Sequence, residues 1–161
     1  LRNLRFTFGS ENSTSGRLMP EYFLNIAGVK TSGFKGKKPG FSGSHDATVA
    51  LVNSGAFEAG ALNKQIWEKN LKNNPKRTKN VDVFFVTPSY VDYHWLSQGD
   101  LDEKFYSGFT KKLKKAILNL NENNPNHKII LEMFNAKKFI DSDAKQYKNI
   151  EEIGRKLKKI R

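Results

Sequence analysis

RFTFGSENSTSGRLMPEYFLNIA, residues 5–27, is the stretch on which the fold class turns. Arg5-Phe6-Thr7-Phe8 alternates like a half-buried strand and stops at Gly9-Ser10. A polar turn follows from Glu11 to Gly16. Leu18, Tyr22 and Ile26 then fall four apart and predict a helix from about Arg17 to Ala27. Pro20 sits within its first turn or so, where proline is tolerated. Strand, turn and helix in this order are the unit from which α/β folds are built.

The same rhythm continues outward. Residues 28–40 read as a loop rich in Gly and Lys, with one short extended piece around Phe34. Phe41 to Asp46 leads into a helix carrying Ala47, Ala50, Leu51 and Val52, closed by Asn53-Ser54-Gly55. Phe57 to Leu62 suggests a short strand, and residues 63–79 a polar helix and loop. Val81-Asp82-Val83-Phe84-Phe85-Val86 carries the strongest strand signal, ended by Thr87-Pro88. Asp100-Leu101-Asp102-Glu103 resembles a capping box, with Asp in place of Ser or Thr, and predicts a long amphipathic helix to about Asn121. His127 to Arg161 reads as two shorter helices around Met133-Phe134 and Ile150-Ile153-Leu157. There is no internal repeat.

With 161 residues and 18.4 kDa the chain suits one domain or two small lobes. Twelve Phe supply core material, while a mean hydropathy of −0.64 keeps much of the chain in water. The net charge is 28 − 16 = +12. Such a field attracts anions, nucleic acid and anionic membranes. The lysines, however, gather on helices: Lys111, Lys112, Lys114 and Lys115 on one, Arg155, Lys156, Lys158 and Lys159 on another. That layout suits solvated helix faces.

The absence of cysteine excludes disulfides, thiolate zinc sites and a Cys nucleophile. No apolar run approaches the ~20 residues of a spanning helix. Leu1-Arg2-Asn3-Leu4-Arg5 lacks the apolar stretch of a signal peptide, and the first residue is not Met, so a processed or truncated product is expected.

Three segments could carry chemistry. Ser13-Thr14-Ser15-Gly16 lies between a strand and a helix, where unpaired backbone N–H groups and the helix dipole favour negative charge. Three hydroxyls add donors and Gly16 admits close approach, which suits a tetrahedral oxyanion; a plain N-cap would use the same residues. Gly43-Ser44-His45-Asp46-Ala47 opens the next helix, with His45 a donor to an anion and Asp46 a cap or orienting partner. The third, Tyr90, Asp92, Tyr93, His94 and Trp95, follows a strand end, where open α/β sheets place ligands; such a cluster can equally seal a core.

Enzyme motifs fail on inspection. Gly40-Phe41-Ser42-Gly43 has the wrong spacing for a nucleophile elbow. Phe34 stands where a phosphate-binding loop beginning at Gly28 needs its lysine. His45, His94 and His127 show no metal-ligand spacing, so neither a metal nor a cofactor is expected. Donors without an activated nucleophile suit holding an oxyanion better than transforming one.

Residues 13–20 (STSGRLMP), 41–47 (FSGSHDA), 57–62 (FEAGAL) and 87–95 (TPSYVDYHW) occur together, in this order, in one family. The chain resembles the phosphate, phosphite and phosphonate substrate-binding proteins of ABC transporters, and residues 130–139 (ILEMFNAKKF) resemble their C-terminal portion. The resemblance implies an α/β, two-lobed periplasmic-binding-protein type II fold, here a fragment. Residues 1–85 would be the ligand-cradling lobe, 86–98 the hinge crossover, and 99–161 the C-terminal helical part of the other lobe. It implies that Ser13, Thr14 and Ser15 wrap the oxyanion, that His45 donates to it, and that Asp92 accepts from a protonated oxygen or ligand substituent. Tyr90 joins this set. Gln65 stands where members selecting aminoalkylphosphonates carry a carboxylate, so phosphite, a small alkylphosphonate or phosphate is favoured. A permease is the implied protein partner and the periplasm or a lipid-anchored cell-surface position the implied location. Association with a missing N-terminal segment, or with a second copy, is a further expectation. Two other readings compete: a basic nucleic-acid-binding domain, and an enzyme using His45 and Asp92 as acid and base.

Overall fold

The computed structural model describes residues 1–91 and 93–161; Asp92 lies outside the described residues. The chain forms two compact units, residues 1–92 with 147–161 and residues 93–146.

The first unit is organised on a three-stranded parallel sheet. Strand β1, Phe6–Phe8, lies between β2, Gly40–Phe41, and β3, Ala59–Gly60. Thr7 is opposite Gly40 on one side and Gly60 on the other. All three β1 residues are buried, although its alternation predicts a half-buried strand. A central parallel strand with crossovers on both sides has no solvated face, and Thr7 satisfies its hydroxyl on the Phe8 carbonyl at 2.9 Å. Phe6, Phe8, Phe34, Ala59 and Ala61 form the core, with Phe6 stacked on Phe34 at 4.8 Å.

After β1 the chain enters a π-helical turn, Thr14–Leu18, which runs directly into α1, Met19–Ile26. The two residues of β2 carry no alternation, and only pairing with β1 makes them a strand. Helix α2 covers His45–Asn53, α3 Lys64–Asn73 and α4 Pro75–Thr78. Gly60 is required by packing, because a Cβ there would meet Thr48 Cγ2 at 2.7 Å and Thr7 Cγ2 at 3.1 Å. Near the C-terminus α8, Lys148–Lys156, returns to this unit and lies against α1. Arg17 donates to Glu21 at 2.7 Å, and Lys159 reaches the same carboxylate at 3.5 Å.

Val81–Val86 is irregular, correcting the expectation of a strand. Its propensity is intact, but no described strand pairs with it, and Val83, Phe84, Phe85 and Val86 are exposed.

The second unit contains α5, Leu101–Lys104, α6, Phe109–Leu118, and α7, Pro125–Met133. The long helix predicted from Asp100 is therefore broken in two. Gly108 takes a left-handed φ of 83°, and the Asp102 carboxylate accepts from the Gly108 and Thr110 amides at 2.8 and 2.7 Å. The Thr110 side chain, followed by these two amides, holds its carboxyl below the usual carboxylate range. Asp100 makes no side-chain cap of its own.

Candidate oxyanion-binding site

The C-terminal end of β1 brings the first two candidate segments together. The Gly9 amide donates to the Gly16 carbonyl at 2.9 Å, closing the loop that carries the serines. Ser13 is extended, with φ −79° and ψ 130°, and its hydroxyl oxygen accepts the Gly16 amide at 2.9 Å. A capping role is therefore present, yet it consumes only a lone pair. The Ser13 hydroxyl proton stays available to a ligand. Thr14 and Ser15 hold first-turn positions, whose amides have no carbonyl one turn earlier within the helix. π-Helical turns of this kind recur at functional sites.

Gly16 is where the two segments meet. A Cβ built there would lie 3.0 Å from Ser13 Oγ, 3.2 Å from Gly9 Cα and 3.2 Å from His45 Cε1. Hydroxyl and imidazole thus flank one bare backbone position. His45 occupies the first turn of α2, and its Nδ1 accepts the Asn63 amide at 3.3 Å. A ring nitrogen that accepts carries no proton, so the neutral ring bears its hydrogen on Nε2, as a donor. This orienting amide was missed by sequence reasoning. A backbone N–H leaves no trace in residue identity.

Asp46 does not cap α2. Ser44 does, accepting from the Ala47 amide at 3.2 Å, while Asp46 accepts from the buried Asn70 side chain at 2.9 Å and ties α3 to the start of α2. Ser42 Oγ lies 3.1 Å from the Phe8 carbonyl, 2.9 Å from the Ser44 carbonyl and 2.7 Å from Thr48 Oγ1, fixing the approach to the helix. The Arg17 guanidinium stacks over Phe8 and Phe41 at 5.0 and 4.6 Å while pairing with Glu21, so its charge is already shared.

The remaining candidates stand differently. Gln65 is exposed in the first turn of α3, its amide donating to Asn63 Oδ1 at 2.8 Å. Tyr90 is half-buried in the irregular stretch after α4. Asp92 is outside the described residues. Among the described residues no group of His, Asp and Glu has a metal-binding arrangement.

Residues 1–147 match the model of a family described as the periplasmic substrate-binding protein of the phosphonate ABC transporter. The chain belongs to that family. It is 74% identical over all 161 residues to the probable ABC transporter phosphite-binding protein PhnD1 of Prochlorococcus marinus strain MIT 9301, of which it covers 54%. The 1.52 Å structure of that organism's PhnD1 in complex with methylphosphonate superposes with a TM-score of 0.96 at 74% identity, covering 99% of this chain and 59% of the other. The chain thus spans little more than half the length of these relatives. Its fold is the α/β, periplasmic-binding-protein type II fold, of which it holds a part. The family is one of transport binding proteins rather than enzymes.

Proposed function

We propose that this chain forms the oxyanion-cradling part of a solute-binding protein that delivers a small phosphorus oxyanion to an ABC importer. The observation that carries the reading is the meeting of Ser13 and His45 around Gly16 at a strand-to-helix junction, with the imidazole held as an Nε2–H donor. Ser13, Thr14 and Ser15 supply hydroxyls and first-turn amides, and His45 adds a directed donor. Each favours a tetrahedral anion through charge-assisted hydrogen bonds.

Asp92 is proposed to accept from a P–OH group, which would favour a ligand still carrying a proton, and Tyr90 to line the same site. Neutral Gln65 offers an ammonium group an amide oxygen but no countercharge, so phosphite, methylphosphonate or phosphate is favoured over an aminoalkylphosphonate. Residues 1–85 are proposed as the cradling lobe, 86–98 as the crossover and 99–161 as part of the other lobe. The permease, and the remaining length of the protein or a second copy, are the proposed partners. The periplasm or a lipid-anchored cell-surface position is the proposed location. The nucleic-acid reading has no comparable observation behind it.

Thermal melting with phosphite, methylphosphonate, 2-aminoethylphosphonate, phosphate and sulfate tests this reading. A ligand present at ~100 times its Kd stabilises by about 2.7 kcal/mol, or roughly 5–10 °C for a chain of this size. A rise with one or two phosphorus oxyanions, absent with sulfate, is expected. Ser13→Ala and Thr14→Ala should each weaken that binding by about 1.5–3 kcal/mol. Unchanged affinity in both variants would remove the cradle, and no rise with any phosphorus oxyanion would remove the activity from this chain.

A further inference from the structure

The Gly- and Lys-rich loop before β2 serves no purpose in the oxyanion cradle, and its construction is unusual. Lys30, Lys35, Lys37 and Lys38 are all exposed, and no acidic residue occurs between Glu21 and Asp46. Arg2 joins them, its guanidinium donating to the Gly28 carbonyl at 3.1 Å. Among the described residues none of these five cations forms an ion pair. Other lysines do: Lys64 pairs with Glu68, Lys104 with Asp100, Lys114 with Asp141 and Lys128 with Glu132.

The loop is also built to hold its shape. Phe34 is buried and stacked on Phe6, anchoring the middle of the loop in the core. The Asn3 amide donates to the Gly33 carbonyl at 2.7 Å, and the Lys35 amide to the Leu4 carbonyl at 2.9 Å. Gly36 and Lys37 then take consecutive left-handed conformations, with φ 73° and 59°. Such positions are dominated by Gly, Asn and Asp, because a longer side chain there crowds its own backbone.

These bonds attach the loop ahead of β1, whereas Gly9 and Ser13 follow β1, so the cations gather at the opposite end of the strand from the cradle. Within the loop itself the one aromatic residue, Phe34, is buried rather than turned outward. Lysine, a hydrated point charge, also lacks the fork with which arginine selects a particular carboxylate or phosphate. The chemistry fits a diffuse anionic surface rather than a single pocketed ion. We propose that Arg2, Lys30, Lys35, Lys37 and Lys38 form a membrane-apposition surface that adsorbs this lobe onto anionic phospholipid headgroups by charge alone, without insertion.

Basic residues near an anionic bilayer each contribute about fivefold in partitioning, fading within a Debye length. The test is co-sedimentation of the 161-residue chain with vesicles of about one-third phosphatidylglycerol in phosphatidylcholine, against phosphatidylcholine alone. A control must separate this surface from net charge. The variant K30Q/K35Q/K37Q/K38Q is therefore compared with K111Q/K112Q/K114Q/K115Q, which removes the same charge from α6. Circular dichroism confirms that both remain folded.

Binding to anionic vesicles, weakened by raising NaCl from about 0.05 to about 0.3 M, is expected. The loop variant should lose at least about tenfold in partitioning and the α6 variant no more than about threefold. Equal losses in both would reduce the effect to net charge and overturn the proposal. Indifference of the unaltered chain to anionic vesicles would overturn it as well, and would leave an acidic protein surface as the partner to examine. Because the readout is lipid partitioning, failure here is independent of failure of the oxyanion cradle.

Discussion

Ser13 and His45 are each oriented by a backbone amide, that of Gly16 and that of Asn63. In each case the accepting atom is a side-chain lone pair, Ser13 Oγ or His45 Nδ1, which leaves the O–H or N–H of that side chain as a donor. Glu58 shows the reverse, a side chain wholly committed to structure. It accepts from the Arg5 amide at 2.6 Å and from the Arg5 guanidinium, clasping the entry of β3 to that of β1. This partner lowers its carboxyl to about 2. A depressed folded-state pKa adds stability above the unfolded carboxylate value, and that stability is lost as pH falls toward about 2. The stability difference between the wild-type chain and Glu58→Gln should therefore be largest near neutral pH and shrink steadily below about pH 4.5, in urea titrations across that range. A difference constant with pH would separate Glu58 from the clasp. The Ser13 cap and the His45 helix start are legible in the sequence, because a capping Ser and a Gly-Ser turn leave residue-type signatures. The Asn63 amide and the Ser44 cap in place of Asp46 are not, since each depends on which atoms a neighbouring turn delivers.

Secondary structure follows local pattern except where pairing or a single glycine intervenes. β1, α1, α2, α3 and α8 fall where residue pattern predicts a strand or a helix. Periodicity also predicts one helix across residues 100–121, yet Gly108 and the Asp102 carboxylate divide it. The apolar spacing on either side continues through the break, so the pattern alone does not reveal it. A Cβ at Gly108 would enter open space, and only its φ of 83° opposes one. Gly108→Ala should therefore cost about 1–2 kcal/mol from the left-handed backbone alone, measured by thermal or urea unfolding. A neutral result would show that the break is not held at this residue.

For the molecule as a whole, the segment from Val83 to Val86 is the largest departure from expectation. Four consecutive apolar residues are exposed there, with Phe84 65% accessible. A short run with strand propensity and no described partner is an association hazard. Sedimentation velocity should show concentration-dependent association of the 161-residue chain, relieved in the double variant Val83→Lys/Phe84→Lys. Unaltered association in that variant would place the contact elsewhere.

Local residue pattern is enough for the α/β class, for the position of the serine-rich turn ahead of α1 and for that of His45 at the head of α2. Each depends on interactions within a few residues: alternation, helical spacing, capping and the steric freedom of glycine. Tertiary structure alone decided that β1 is central and buried on both faces, that Gly40–Phe41 is a strand, and that Val81–Val86 is not one among the described residues. It also decided which nitrogen of His45 carries the proton. Strand pairing and tautomer are both settled by hydrogen bonds between residues distant in sequence: 33 positions separate Thr7 from Gly40, and 18 separate His45 from Asn63. No local pattern records such a bond, because its partner is supplied by the folded chain.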